Sequence, residues 1–169
     1  MCHPWKQPVR LQGRRLPHAA AIGGCRRQTT PVRQALHTLA IATRGKGLTE
    51  ITAEICRWVA SEGVATGLLT VFCRHTSCSL LIQENADPDV RADLAAFFEG
   101  IAPEAAGYIH ESEGPDDMPA HIRTALTNVS LSIPVAAGQP TLGTWQGIYL
   151  FEHRSRPHRR EIVLHLIGE

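Results

Sequence analysis

The chain has 169 residues, 43% of them hydrophobic, and a formal net charge of +1, which is length enough for one well-packed domain or one domain plus a tail. That charge is unevenly placed, because residues 1–33 hold seven Lys or Arg and no acid, whereas the remainder holds ten basic and sixteen acidic residues, a balance of −6. No apolar run reaches the ~18 residues that span a bilayer and no secretory core segment is visible, while the basic arm lacks an aromatic platform, a zinc spacing or a basic helix face, so neither a membrane nor a nucleic acid is expected as partner.

Residues 1–33 read as a basic, disordered N-terminal extension, since Pro4, Pro8 and Pro17 interrupt any amphipathic helix. The domain is expected over 34–169. Residues 35–42 (ALHTLAIA) predict a first strand, closed by a loop at 44–47. Ile51, Ile55, Trp58 and Val59 follow at i, i+4, i+7, i+8 and predict a helix that stops at Gly63. Apolar runs at 67–73 and 77–83 predict two strands joined at His75-Thr76-Ser77. Asp87 as N-cap and Pro88 as the first helical residue open a second helix with Val90, Leu94, Phe97 and Phe98 as its stripe. After an irregular acidic segment at 100–115, a third helix starts at Asp116 or Asp117, with Pro119 in its first turn and Met118, Ile122, Ala125 and Leu126 as its buried stripe. Strands are predicted at 129–135, 143–154 and 161–167. Helices gathered early and strands dominating the end do not give a βαβ alternation. They predict an α+β domain with a largely antiparallel sheet or sandwich.

Side chains alternate along a strand, so His75 ends the face of Leu69, Val71 and Cys73, and Glu84 ends that of Cys78, Leu80 and Ile82. Each alone reads as a polar residue emerging into solvent, but Asn85 and Asp87 follow at once and point to a site. Gln146 and Glu152 bracket Ile148 and Leu150, and a carboxylate buried there needs a cation, a metal or hydrogen-bond donors. His110 and His121, separated by Glu111, Glu113, Asp116 and Asp117, match no named zinc spacing. Together with His75 they offer three imidazoles for a divalent cation, Mg or Zn, with an open position. The basic group Arg154, Arg156, His158, Arg159 and Arg160 reads as a solvated hairpin loop, or as a recruiter of phosphate. Of five cysteines none forms a C-x-x-C pair, and Cys73 and Cys78 are expected as buried, inert thiols in a reducing cytoplasm.

HTS at 75–77, ENADPDVRADL at 84–94, Tyr108 with His110, DDMPAH at 116–121, IPV with Gly138, and LGTWQGIYLFEHR at 142–154 resemble the YjbQ family, the UPF0047 group often described as secondary thiamine-phosphate synthases. The resemblance spans about residues 34–169. It implies a compact single α+β domain built on a jelly-roll-like, largely antiparallel β-sandwich with two to three flanking helices, assembling as a homotrimer. Its polar positions fall here on His75, Glu84, Asn85, Asp87, His110, Asp117, His121, Gln146 and Glu152. The implied reaction couples a pyrimidine diphosphate to a thiazole phosphate, so the small-molecule substrate would be phosphorylated. The leaving diphosphate must be neutralised by a metal and basic groups. Fewer Lys and Arg lie near the motifs than a dedicated diphosphate site needs, with Arg123 and Arg154 the nearest candidates, which points to a weak or side activity. Two other readings stand beside it: a metal-dependent hydrolase with Glu84 or Asp117 as base, and a non-catalytic trimeric ligand-binding module. Cys78 and Ser79 depart from the small apolar residues usual in the family, and Phe151 replaces a frequent Cys.

Overall fold

The computed structural model describes residues 30–169. In chain order it contains β1 (Arg33–Ala42), β2 (Gly47–Glu50), α1 (Thr52–Glu62), β3 (Thr66–Cys73), β4 (Cys78–Glu84), α2 (Pro88–Ile101), α3 (Asp117–Leu126), β5 (Ser130–Ala136), β6 (Gln139–Pro140), β7 (Gln146–Glu152) and β8 (Arg159–Gly168). One sheet has the order β1-β8-β3-β5-β6 and the other β2-β7-β4, with every strand pairing antiparallel. Period-two burial explains the packing. In β5, Leu131, Ile133 and Val135 point inward and their neighbours outward, as a one-sided strand requires. Leu69, Val71, Leu164 and Leu166 of the larger sheet share one core with Leu80, Ile148 and Leu150 of the smaller, and α1 adds Ile55 and Val59. This is the expected α+β antiparallel sandwich with three helices.

Helix ends follow the sequence closely. Gly63 closes α1 at φ 65°, a conformation that costs glycine little. Asp87 Oδ1 accepts the Asp89 N–H at 2.9 Å and caps α2. Helix faces follow it less well. Phe97 is exposed, and only Phe98 turns inward, edge-on to Phe151 at 5.3 Å. The expected stripe of α3 is also displaced, because Met118 and Ile122 are half-buried and Ala125 and Leu126 exposed. The helix buries Asp117, Ala120, Arg123 and Thr124 instead. Arg123 explains the rotation. Its guanidinium grips both oxygens of Glu99 at 2.8 and 2.9 Å and the Ala102 carbonyl at 2.8 Å, so a paired charge packs where an apolar side chain was expected.

The expected N-terminal extension lies outside the described residues, apart from its end, where Arg33 opens β1 and donates to the Gly63 carbonyl at 2.6 Å. Among the described residues no helix is long and apolar enough to cross a membrane.

Candidate metal centre

The turn between β3 and β4 faces the first turns of α3. His121 donates its Nδ1–H to the Thr76 carbonyl, 3.0 Å away, which leaves the Nε2 lone pair free. That nitrogen lies 3.6 Å from Asp117 Oδ2, and His110 Nε2 lies 2.7 Å from the same oxygen. All three donor atoms fall within 4.8 Å of one another. Zinc ligands about 2.0–2.1 Å from a tetrahedral ion stand about 3.3 Å apart, so the two measured separations bracket that spacing. Two imidazoles and one carboxylate give the three-protein-ligand set of catalytic zinc sites. The carbonyl behind His121 is the kind of outer partner that fixes a ligand's tautomer and aim.

Asp117 is 2% exposed, and its second oxygen is held by Arg154 Nη1. Arg154 also donates to Asp116 Oδ2 at 3.2 Å and to the Glu113 carbonyl at 2.8 Å. Burial works against an ionised Asp116, but the Ser155 N–H and the Arg154 guanidinium outweigh it and hold this carboxyl below its ordinary range. The acidic segment expected to be irregular is therefore anchored at its C-terminal end by Arg154, as it is near its start by Arg123 and Lys46.

His75 stands apart from this cluster. Its Nε2 accepts the Glu161 N–H at 2.8 Å, so the ring proton sits on Nδ1. Burial, and then the nearby Arg160 guanidinium, keep the ring neutral by lowering its pKa. The expected third imidazole ligand is thus engaged with backbone, and Asp117 takes its place in the cluster. Glu152 also changes role. Arg160 grips it through Nε at 2.7 Å and Nη2 at 2.5 Å, Thr43 Oγ1 donates at 2.8 Å, and the N–H groups of His153 and Arg154 donate at 3.1 and 3.0 Å. Burial opposes the charge on Glu152, and these donors, Arg160 foremost, hold its pKa low all the same. With every lone pair occupied, Glu152 is a structural anion rather than an acid or base. Arg160 further reaches Ser77 Oγ at 3.1 Å, so the pair braces the turn whose Thr76 carbonyl aims His121.

Strand register separates the remaining candidates. Cys78 pairs with Glu152 and Glu84 with Gln146, at opposite ends of the seven-residue β4, about 20 Å apart along the strand. At the far end the Glu84 carbonyl accepts the Tyr149 hydroxyl at 3.2 Å, and Asn85 N–H donates to the Trp145 carbonyl at 3.1 Å. Asp87 caps α2, and Gln146 Oε1 accepts the Gly143 N–H at 2.8 Å. Asp87 and Gln146 thus have local structural tasks, Glu84 and Asn85 are tied there through their backbone, and none of the four forms one wall with the imidazoles within this chain. Gly147 makes room there, since a Cβ would come 2.9 Å from the Tyr149 ring and 3.2 Å from Asn85. Tyr149 is fully buried, whereas Trp145 is exposed.

A cavity of about 760 Å³ opens beside the centre, walled by Phe72, Ala125 and Val129 with His75 and His121 at its polar side. The expected solvated basic loop is only partly so, because Arg154 and Arg160 are paired in the interior while Arg156 and Arg159 are exposed. Arg160 was legible in principle, being in phase with Ile162, Leu164 and Leu166 on the inward face of β8. His153 carried no such signal. It is fully buried, with Nε2 2.9 Å from Ser79 Oγ. Burial, aided by Arg123, pushes its pKa down to about 3.

Comparison with known proteins gives a consistent result. Residues 37–169 match the family model described as "UPF0047 protein YjbQ-like". A UPF0047 protein of Synechocystis is 56% identical over 138 residues, covering 81% of this chain and 94% of that protein. The UPF0047 protein YjbQ of Salmonella typhimurium is 44% identical, covering 78% and 96%. Among solved structures, a YbjQ-like protein of unknown function from Sulfolobus solfataricus superposes with a TM-score of 0.77 at 20% identity, over 82% of this chain and all of that one. A YjbQ/UPF0047 family protein from Clostridium acetobutylicum gives 0.69 at 33% identity, over 78% and 98%.

Proposed function

The chain belongs to the UPF0047 family of YjbQ-like proteins, and from that membership and the geometry of the imidazole cluster we propose that it is a metal-dependent enzyme acting on a small molecule held beside His121. The observation that carries this reading is the donor set itself, with His110 and His121 meeting the Oδ2 atom of Asp117. A zinc-type ion bound there would polarise a substrate oxygen or acidify a water. Arg154 orients Asp117 through its Oδ1 atom, the Thr76 carbonyl aims His121, and the apolar side chains of the open cavity offer a bound molecule a non-polar contact surface. His75 offers an Nδ1–H donor for a polar group on the ligand. Glu84 lies at the far end of β4 and Asp117 is committed to the ion and to Arg154, so neither serves as the base in the hydrolytic form of this reading.

Thiamine-phosphate synthesis, the activity implied by the resemblance, is the second reading. Both cations nominated for the diphosphate are already committed, Arg123 to Glu99 and Arg154 to Asp116 and Asp117, which favours a weak or side activity with the metal as the main counter-charge. A homotrimer and a cytoplasmic setting belong to this proposal. The first is supported by exposed Leu36, Leu68, Phe72 and Ile167 on one face of the larger sheet, the second by unpaired thiols at Cys56, Cys73 and Cys78.

Metal analysis of protein prepared without a histidine tag tests the main reading. About one zinc per chain is expected, with affinity falling at least tenfold in His110→Ala, Asp117→Asn or His121→Ala. Failure of the wild-type chain to bind zinc or another divalent ion, or undiminished affinity in all three variants, overturns it. For the synthase, rescue of a thiamine-requiring strain by the wild type and not by His121→Ala is the expected result.

A further inference from the structure

We propose that Cys73 and Cys78 are a reversible redox pair whose oxidation closes an intramolecular disulfide across the turn at 75–77. Their sulfurs lie 3.2 Å apart, and Cys73 Sγ also sits 3.3 Å from the Cys78 carbonyl. One residue ends β3 and the other begins β4, so the short turn between them holds the two side chains together. A disulfide bond is about 2.05 Å long, so the sulfurs need to approach by little more than an ångström, within reach of side-chain rotation. No C-x-x-C motif announces this pair. The four intervening residues form a strand-to-strand turn that brings positions i and i+5 face to face.

Access is built asymmetrically. Cys73 contributes to the wall of the 760 Å³ cavity and is 2% exposed, whereas Cys78 lies behind it at 0%. A small oxidant such as hydrogen peroxide therefore meets Cys73 first. Its sulfur attacks one peroxide oxygen, the O–O bond breaks, and a sulfenic acid and one water result. The Cys78 sulfur then attacks the Cys73 sulfur and displaces the hydroxyl, which leaves as a second water with the remaining thiol proton. Two thiols and one peroxide give one disulfide and two waters, with two electrons passing from sulfur to peroxide. An external dithiol reverses the step by exchange through a mixed disulfide. Cys56, half-buried on α1, is placed on a different element from this pair.

Tryptic mapping of the full chain tests the proposal without reference to any metal. Arg74 lies between the two cysteines, so cleavage yields separate peptides 58–74 and 75–91 that stay joined only if the disulfide has formed. After brief treatment with hydrogen peroxide and alkylation under denaturing conditions, the expected product is the joined pair, released by dithiothreitol. In Cys78→Ala the joined pair is absent and Cys73 proceeds to the sulfinic acid. Recovery of both peptides singly alkylated from peroxide-treated wild type, or joining of either to another cysteine peptide, overturns the proposal. The decisive measurement is on the wild-type chain, so a variant that fails to fold does not protect it.

Discussion

Removing one charge from the Glu152–Arg160 pair strands the other away from water, since Glu152 is 1% and Arg160 5% exposed. Glu152→Gln is therefore expected to cost about 3–5 kcal/mol in denaturant unfolding, far more than an exposed carboxylate would. His153 sets a pH dependence. Its folded pKa is about 3, against about 6.5 in an unfolded chain. The unfolded state takes up the proton first as pH falls, so its contribution is whole above about pH 6.5 and is lost towards pH 3, with a slope approaching about 1.4 kcal/mol per pH unit. The depressed pKa of Glu152 adds a loss of the same sign below about pH 4.3. The urea midpoint is expected to be lower at about pH 5 than at about pH 7 in the wild type and the gap to narrow in His153→Gln, the remainder belonging in part to His75, whose pKa is also lowered. At this scale residue types and strand phase are readable, and alternation along β7 is enough to show that a carboxylate buried at Glu152 needs a partner. The partner's identity was not readable, because Arg160 is paired through space and not through any local spacing.

Elements were legible where the signal is local. The cap at Asp87 needs only the next two residues, and Asp87→Ala is expected to lower stability by about 1 kcal/mol, read from a thermal or urea transition. Close approach of β3 to β8 was not legible. A Cβ on Gly67 would run into the Ile167 carbonyl, so Gly67→Ala is expected to destabilise the sheet measurably, and unchanged unfolding in that variant would contradict the packing described. Helix faces show the limit of hydrophobic periodicity. In α3 the apolar stripe of Ala125 and Leu126 remains exposed while Asp117 and Arg123 are buried, because ion pairs made across elements satisfy the charges inside. The same rotation presents Ala125 and His121 to the cavity, while the i,i+4 spacing of α3 sets His121 beside Asp117.

For the molecule as a whole, the larger sheet leaves Leu36, Leu68, Phe72 and Ile167 exposed on the face away from the core. A second copy seated on that face would also cover the cavity, whose wall includes Phe72 and Val129. Light scattering on a sizing column is expected to give about three times the 18.5 kDa chain mass, and Leu36→Glu with Leu68→Glu is expected to yield monomers. A wild-type monomer would dispose of the homotrimer.

Neighbouring residues alone specify the six longer strands, the three helices with the Asp87 cap and the Gly63 stop, the antiparallel α+β class and two of the three cluster residues, His110 and His121. The short β2 and β6, expected as loop and turn, form only by pairing with β7 and β5. Asp117 and His121 meet by their i,i+4 spacing on α3, and the other meetings are made by the tertiary fold. The pairing of Cys78 with Glu152 and of Glu84 with Gln146 sends two groups of candidates to opposite ends of one sheet, and the Glu161 N–H takes the nitrogen of His75. Backbone pairing and buried charge act between residues far apart in the chain, such as Thr43 and Glu152, and a linear pattern holds no record of that distance.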